Sequence, residues 1–314
     1  MDDAPWRYAG RRASSCEGRT IDPSIDERAQ SDRRTRVDFM GLDVHAVRFV
    51  LSSARAGTDF SRTVMIGRQS LHVDARTLRR LLEESGHEHA NAETILREAG
   101  GYAEPLFKLL GAKVVDSLDA SDFESATLVH DLNRPIPTDL HERFTAVVDS
   151  GSLEHVFDFP TAVANCMHLA APNGHVMLIT PTNNLMGHGF YQFSPDLLYR
   201  VFANENGYEV ESMVVFESRP RAPWYAVGDP KELRQRVELR NSWETYLAMR
   251  GRRTHVVELF ANAPQQSDYA AAWSGSPFVY QPSVLRRTAQ RLIPGFVRRA
   301  IRRGYGSSSY ERVR

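Results

Sequence analysis

Apolar positions at residues 39, 42, 44, 47 and 49–51 (Phe39, Leu42, Val44, Val47, Phe49, Val50 and Leu51) recur with the spacing of an amphipathic helix that stops near Gly57. The chain before them has no such period. Residues 1–36 interleave Arg11, Arg12, Arg33, Arg34 and Arg36 with Asp22, Asp26, Glu27 and Asp32, a composition that predicts a disordered polar arm. After the first helix the pattern alternates. Short apolar, β-branched runs predict strands over 63–67, 112–118, 126–130, 144–148 and 176–180, closing on Gly67, Asp119, Asp131, Asp149 and Pro181. Helical spacing occupies 75–85, 92–99, 104–110 and 160–169, and Pro172-Asn173-Gly174 marks a turn. Further on, a helix over 196–204 leads through Gly207 to a strand over 209–216. Residues 218–250 then read as an insertion with a helix over 230–250, and 255–261 as a last strand.

Strands separated by helices predict a parallel sheet, because parallel neighbours need crossover connections and those cover both faces. The fold class is α/β. In a doubly wound sheet of this kind, ligands sit beyond the carboxyl ends of the strands, where the strand order reverses. Gly67, Asp119, Asp131 and Asp149 all stand at that end.

Composition narrows the picture. The chain has 314 residues, 42% hydrophobic and 25% charged, enough for a large buried core. Lys+Arg 39 against Asp+Glu 39 gives no net charge, so a nucleic-acid partner is not expected. Two cysteines, Cys16 and Cys166, form no ligand pair or disulfide framework, which fits a reducing, cytoplasmic setting. No run of about eighteen apolar residues predicts a membrane span.

The segment from Phe144 to Asp158, with Asp149-Ser150-Gly151 and Leu153-Glu154-His155-Val156, resembles the fourth strand and following turn of class I S-adenosylmethionine-dependent methyltransferases. The resemblance runs over roughly residues 60–262. It implies a Rossmann-like, mostly parallel seven-stranded sheet with the last strand antiparallel, and S-adenosylmethionine as cofactor. The domain then spans 37–265, with 266–314 as a basic extension. The family's first strand ends in a glycine-rich turn, whereas Gly67-Arg68-Gln69 carries one glycine and two side chains. By the resemblance Gly67, Arg68, Gln69 and Ser150 line the cofactor, Asp119 (or Asp116) holds the ribose hydroxyls and Asp131 meets the adenine. Read from the residues alone, Asp119 could equally cap a helix and Asp131 could form a turn ahead of Pro135. The same resemblance implies a small-molecule or sugar-containing acceptor and O-directed transfer. A noncatalytic binding protein of the same shape is the alternative.

Candidate chemistry clusters after the fourth and fifth strands. His155 is a candidate general base near the cofactor mouth, since imidazole titrates near neutrality. The segment 183–195 could cross that mouth. His188 stands between Gly187 and Gly189, and Tyr191 adds a hydroxyl; the bland alternative is a rigid connection packing Phe190 and Phe193. No metal site is expected: His87 and His89 lack a third ligand and read as a surface loop. Cys166 reads as a buried packing residue. Residues 284–303 carry Arg286, Arg287, Arg291, Arg298, Arg299, Arg302 and Arg303 among apolar positions. This basic amphipathic tail could lie on an anionic membrane surface or dock on the body. The oligomeric state is not readable from the chain.

Overall fold

The computed structural model describes residues 41–278 and the backbone of 310–312. The polar arm at 1–36 and the basic tail at 284–303 lie outside the described residues. The first elements are β1 (Gly41–Leu42), α1 (Val44–Arg55), β2 (Arg62–Ile66), β3 (Ser70–Leu71), α2 (Ala75–Glu84), α3 (Ala92–Ala99) and α4 (Glu104–Leu109). They are followed by β4 (Val114–Asp119), β5 (Leu128–Val129), β6 (Phe144–Ser150), α5 (Phe159–Leu169) and β7 (Ala170–Asn183). The chain continues through α6 (Pro195–Val201), β8 (Tyr208–Glu217), β9 (Tyr225–Val227), α7 (Pro230–Leu233), β10 (Thr245–Arg253), α8 (Ser267–Trp273) and β11 (Tyr310–Arg312). Helices begin where the sequence supplies an acceptor for the first free N–H groups. Asp43 accepts from His45 and Ala46, Asp74 from Thr77, Asn91 from Thr94 and Asp158 from Thr161.

One nine-stranded sheet runs β11-β9-β8-β10-β7-β6-β2-β4-β5. β5, β4, β2, β6 and β7 are parallel, and β10 lies antiparallel between β7 and β8. The α/β class and the antiparallel last central strand agree with expectation. The strand count does not, because β9 and β11 extend one edge by antiparallel pairing. Strand order reverses between β2 and β6. Alternate residues face opposite layers: Val64, Ile66, Val147 and Leu178 pack with α5 and α6, while Met65, Ala146, Val148, Met177 and Ile179 pack under α1 to α4.

The segment 230–261 corrects the sequence reading. Only Pro230–Leu233 is helical in the stretch expected as a helix, Thr245–Arg253 is the central antiparallel strand, and 255–261 is not a strand. Charged residues inside β10 hid it. Arg253 is buried, donating to the Ala170 carbonyl at 2.5 Å and the Met167 carbonyl at 3.4 Å, and Arg250 meets Glu211 at 3.1 Å. These partners come from distant segments, so no local pattern announces a strand.

His45 ties α1 to the segment before β9. Trp224 Nε1 donates to His45 Nδ1 at 2.9 Å, which leaves the proton on Nε2 to be donated to the Arg219 carbonyl at 2.7 Å. Burial holds this imidazole below its ordinary value of 6.5, and burial does the same at His168 and His175. The unfolded chain therefore takes up protons first as pH falls. Urea denaturation midpoints are expected to be level above 6.5 and to decline as pH drops below it, with a shallower decline in His45→Phe.

Candidate functional site

Four carboxyl ends meet at the reversal point: β2 at Gly67, β4 at Asp119, β5 ahead of Asp131 and β6 at Ser150-Gly151. Gly67 has φ +68° and donates its N–H to the Leu118 carbonyl at 2.8 Å. A Cβ there would stand 3.0 Å from the Ser152 hydroxyl and 3.9 Å from Asp119 Oδ2, so glycine keeps this turn open. Asp119 therefore faces the turn. Its Oδ1 accepts from the Ser121 N–H at 3.3 Å, while Oδ2 is the oxygen directed toward Gly67.

The two side chains that replace glycine have separate fates. Arg68 donates from Nε to Glu104 at 2.7 Å and from Nη1 to the Glu124 carbonyl at 2.9 Å, with its guanidinium 3.9 Å from the Tyr102 ring centre. Its charge is held by those groups, so the side chain of Arg68, expected beside the cofactor, is directed to Glu104 and Tyr102. Gln69 folds inward and is 1% exposed, its amide donating to the Ile66 carbonyl and to Ser152 Oγ. Gln69 Oε1 is left without a donor.

Ser150 and Asp131, also expected beside the cofactor, each have partners within the chain. The Ser150 hydroxyl donates to the Gly41 carbonyl at 2.9 Å, anchoring β1 to the end of β6. Asp131 is exposed and closes a turn by accepting from both the side chain and the backbone N–H of Asn133. Those bonds also hold its carboxyl below the usual range.

The other side of the reversal point is built by a 3₁₀ turn, Leu153–His155, and the segment after β7. The Glu154 carbonyl accepts from the N–H groups of Phe190 at 2.7 Å and Tyr191 at 3.3 Å. Gly189, at φ +74°, makes that approach possible, since a Cβ would lie 2.8 Å from the Glu154 carbonyl oxygen. Only one of the two glycines flanking His188 has this duty: Gly187 has nothing within 4 Å. The segment is further held by Asn184, which donates to the Asn241 side chain and the Trp243 carbonyl, and by Gln192, which accepts from Leu185.

His188 is thereby carried to Glu154, with Nε2 3.4 Å from Oε1. The His155 and His188 rings meet edge to face at 5.0 Å, His155 on the exposed side. The Tyr191 hydroxyl, expected among the chemical groups, donates to the Phe157 carbonyl at 2.6 Å and its ring stacks near Phe193, so it fastens the segment. Phe157, Phe190 and Met186 are 73%, 68% and 92% exposed beside these histidines, with Phe157 and Phe190 in edge-to-face contact. The sequence places Asp149 at the ligand end of the sheet and Glu154 in the turn that follows, without giving either a role. Both are wholly buried, and burial followed by the nearby Glu154 charge pushes the Asp149 carboxyl well up from its ordinary range. Burial likewise pushes the Cys166 thiol up, in keeping with a packing role.

No family model matches the chain, and no curated protein matches it. Solved structures resemble its course at low identity. The 1,6-didemethyltoxoflavin-N1-methyltransferase of Burkholderia thailandensis is 12% identical over 76% of this chain and 94% of its own, with a TM-score of 0.37. The branched-chain polyamine synthase of Thermus thermophilus is 14% identical over 77% of this chain and 68% of its own, at 0.35. The trans-methyltransferase CalH is 12% identical over 66% of this chain and 55% of its own, also at 0.35. Values this low carry no residue roles across. The functional assignment rests on the chain's own groups.

Gly189→Ala is expected to cost about 1–3 kcal/mol in urea denaturation and to shift the His188 ring resonances, because the clamp on Glu154 must open. Gly187→Ala should stay within about 0.5 kcal/mol and leave those resonances in place.

Proposed function

We propose that the protein is an S-adenosylmethionine-dependent methyltransferase of a small-molecule or sugar-containing acceptor, most consistent with transfer to oxygen. The observation that carries this reading is the Asp119 carboxylate facing the Gly67 turn where strand order reverses. An ionised carboxylate is an acceptor only, and two oxygens suit the paired hydroxyls of a ribose. The residues present fit the cofactor. Gly67 keeps a Cβ away from Ser152, Gln69 and Asp119, and the buried Gln69 Oε1, without a partner among the described residues, offers an acceptor to a donor such as the cofactor's amino group.

The cofactor supplies an electrophilic methyl group. The chain's part is to bind, align and manage a proton. Asp119 and Gln69 fix the donor end, and the segment clamped on Glu154 fixes the acceptor end. His188 and His155 are placed to accept the acceptor's proton, with the buried Glu154 carboxylate beside His188 stabilising the imidazolium that results. The exposed Phe157, Phe190 and Met186 give the acceptor an apolar surface suited to an aromatic ring or the CH face of a sugar.

A second reading is a nucleoside-binding protein of this shape without methyl transfer. It is favoured by the Gln69 side chain, which lies beneath the turn where the resembling family has glycine. Labelled-methyl transfer to phenolic and sugar hydroxyls separates the two.

Calorimetric titration with S-adenosylmethionine and S-adenosylhomocysteine is expected to show binding of both. Asp119→Ala should weaken each at least about tenfold, or about 1.4 kcal/mol. His188→Ala should leave both affinities unchanged and lower turnover. Absence of binding by either ligand refutes the proposal.

A further inference from the structure

The Glu154 carboxylate poses a problem that the methyl-transfer reading leaves open. Its side chain is fully buried, yet neither Oε1 nor Oε2 accepts a hydrogen bond. Asp149, five positions earlier and equally buried, accepts from the Ser152 N–H through Oδ1 at 3.1 Å and leaves Oδ2 unpartnered. Buried carboxylates are ordinarily satisfied by donors or held by a cation. Among the described residues an imidazole lies against Glu154: His188 Nε2 is 3.4 Å from Oε1. His155 completes the group: one ligand atom from each of Glu154, His155 and His188 fall within 4.8 Å of one another.

We propose that Glu154, His155 and His188 bind one first-row divalent cation. Two imidazoles and one carboxylate are a borderline donor set, suited to Zn²⁺ or Co²⁺ and poorly suited to Mg²⁺ or Ca²⁺, which take oxygen ligands. Ligand atoms about 2.0–2.2 Å from a tetrahedral ion lie about 3.3 Å apart. The Glu154 and His188 atoms already have that separation. The His155 ligand atom, within 4.8 Å of the other two, closes the remaining gap by a side-chain movement that its exposed position permits.

The clamp already described supplies the preorganisation such a site needs. Phe190 and Tyr191 fasten the segment after β7 to the Glu154 backbone, and Gly189 allows the close approach. Two ligands thus come from one turn and the third from a segment bonded to that turn. The fourth position faces solvent beside Phe157 and Phe190. With the cation bound, His155 and His188 are ligands and no longer proton acceptors, and an acceptor oxygen in the fourth position would lose its proton through the ion's Lewis acidity; that role rests on the methyl-transfer reading, the cation site itself does not.

The test is titration of the full-length protein with Co²⁺, without S-adenosylmethionine, followed by the visible bands of the ion and by competition with Zn²⁺. One equivalent is expected, displaced by Zn²⁺ and not by Mg²⁺ or Ca²⁺. Glu154→Gln and His188→Ala should each weaken Co²⁺ binding at least about tenfold. His155→Ala changes an exposed side chain, so it tests the ligand without threatening the fold and should have the same effect. The double variant His87→Ala/His89→Ala should bind as the parent does. No Co²⁺ uptake, uptake unchanged in His155→Ala, or uptake lost in the His87/His89 variant overturns the proposal. Calorimetry with S-adenosylmethionine is read separately, so the cation site and the methyl-transfer reading fail independently.

Discussion

The Ile66 carbonyl is where the two halves of the sheet are joined at the working end. It accepts from the Ser152 hydroxyl at 2.8 Å and from the Gln69 amide, drawing the turn after β6 against the turn after β2. A buried carbonyl at a strand end has no ladder partner and must be satisfied by side chains. That requirement places Gln69 beneath Gly67 and sets where the Leu153–His155 turn begins. The Gly67 side and the Glu154 side are therefore coupled through one backbone oxygen.

From that joint the two sides are built by different means. The Gly67 side depends on what is missing, a Cβ that would press on Ser152, together with an aspartate that β4 delivers by ordinary strand register. The Glu154 side depends on a backbone clamp, in which a carbonyl on the first turn receives two N–H groups from the segment after β7. Arg68, which might have obstructed the first side, is removed by Glu104, the Glu124 carbonyl and the Tyr102 ring acting together. Of the two side chains beside Gly67, one is thus drawn away by partners elsewhere and the other, Gln69, is folded beneath the turn.

The buried charges show how the remainder is held. Arg253 ends β10 inside the core on the carbonyls where α5 gives way to β7, and Arg250 pairs with Glu211 on β8. Each charge is matched across strands, so the central antiparallel strand is specified by polar partners as well as apolar contacts. The Glu154–Asp149 pair differs, because three of its four oxygens have no donor. Groups left in this state concentrate at sites that act on something else.

The alternation of strands and helices was legible along the chain because the apolar runs of β2, β6 and β7 are buried on both faces and so need only local residues to be recognised. Gly67 and Asp119 were legible for the same reason, as the residues that end such runs. The β10 strand was not, since Arg250 and Arg253 become core residues only when carbonyls and a glutamate from far along the chain meet them. Nor was the meeting of Glu154 and His155 with His188, 33 positions beyond His155, because a hydrogen-bonded clamp between two segments has no sequence period. Local burial set the elements and the end of the sheet where chemistry can occur. Which side chains turn toward that end, and which are drawn off by stronger partners, was decided by contacts that exist only once the sheet has formed.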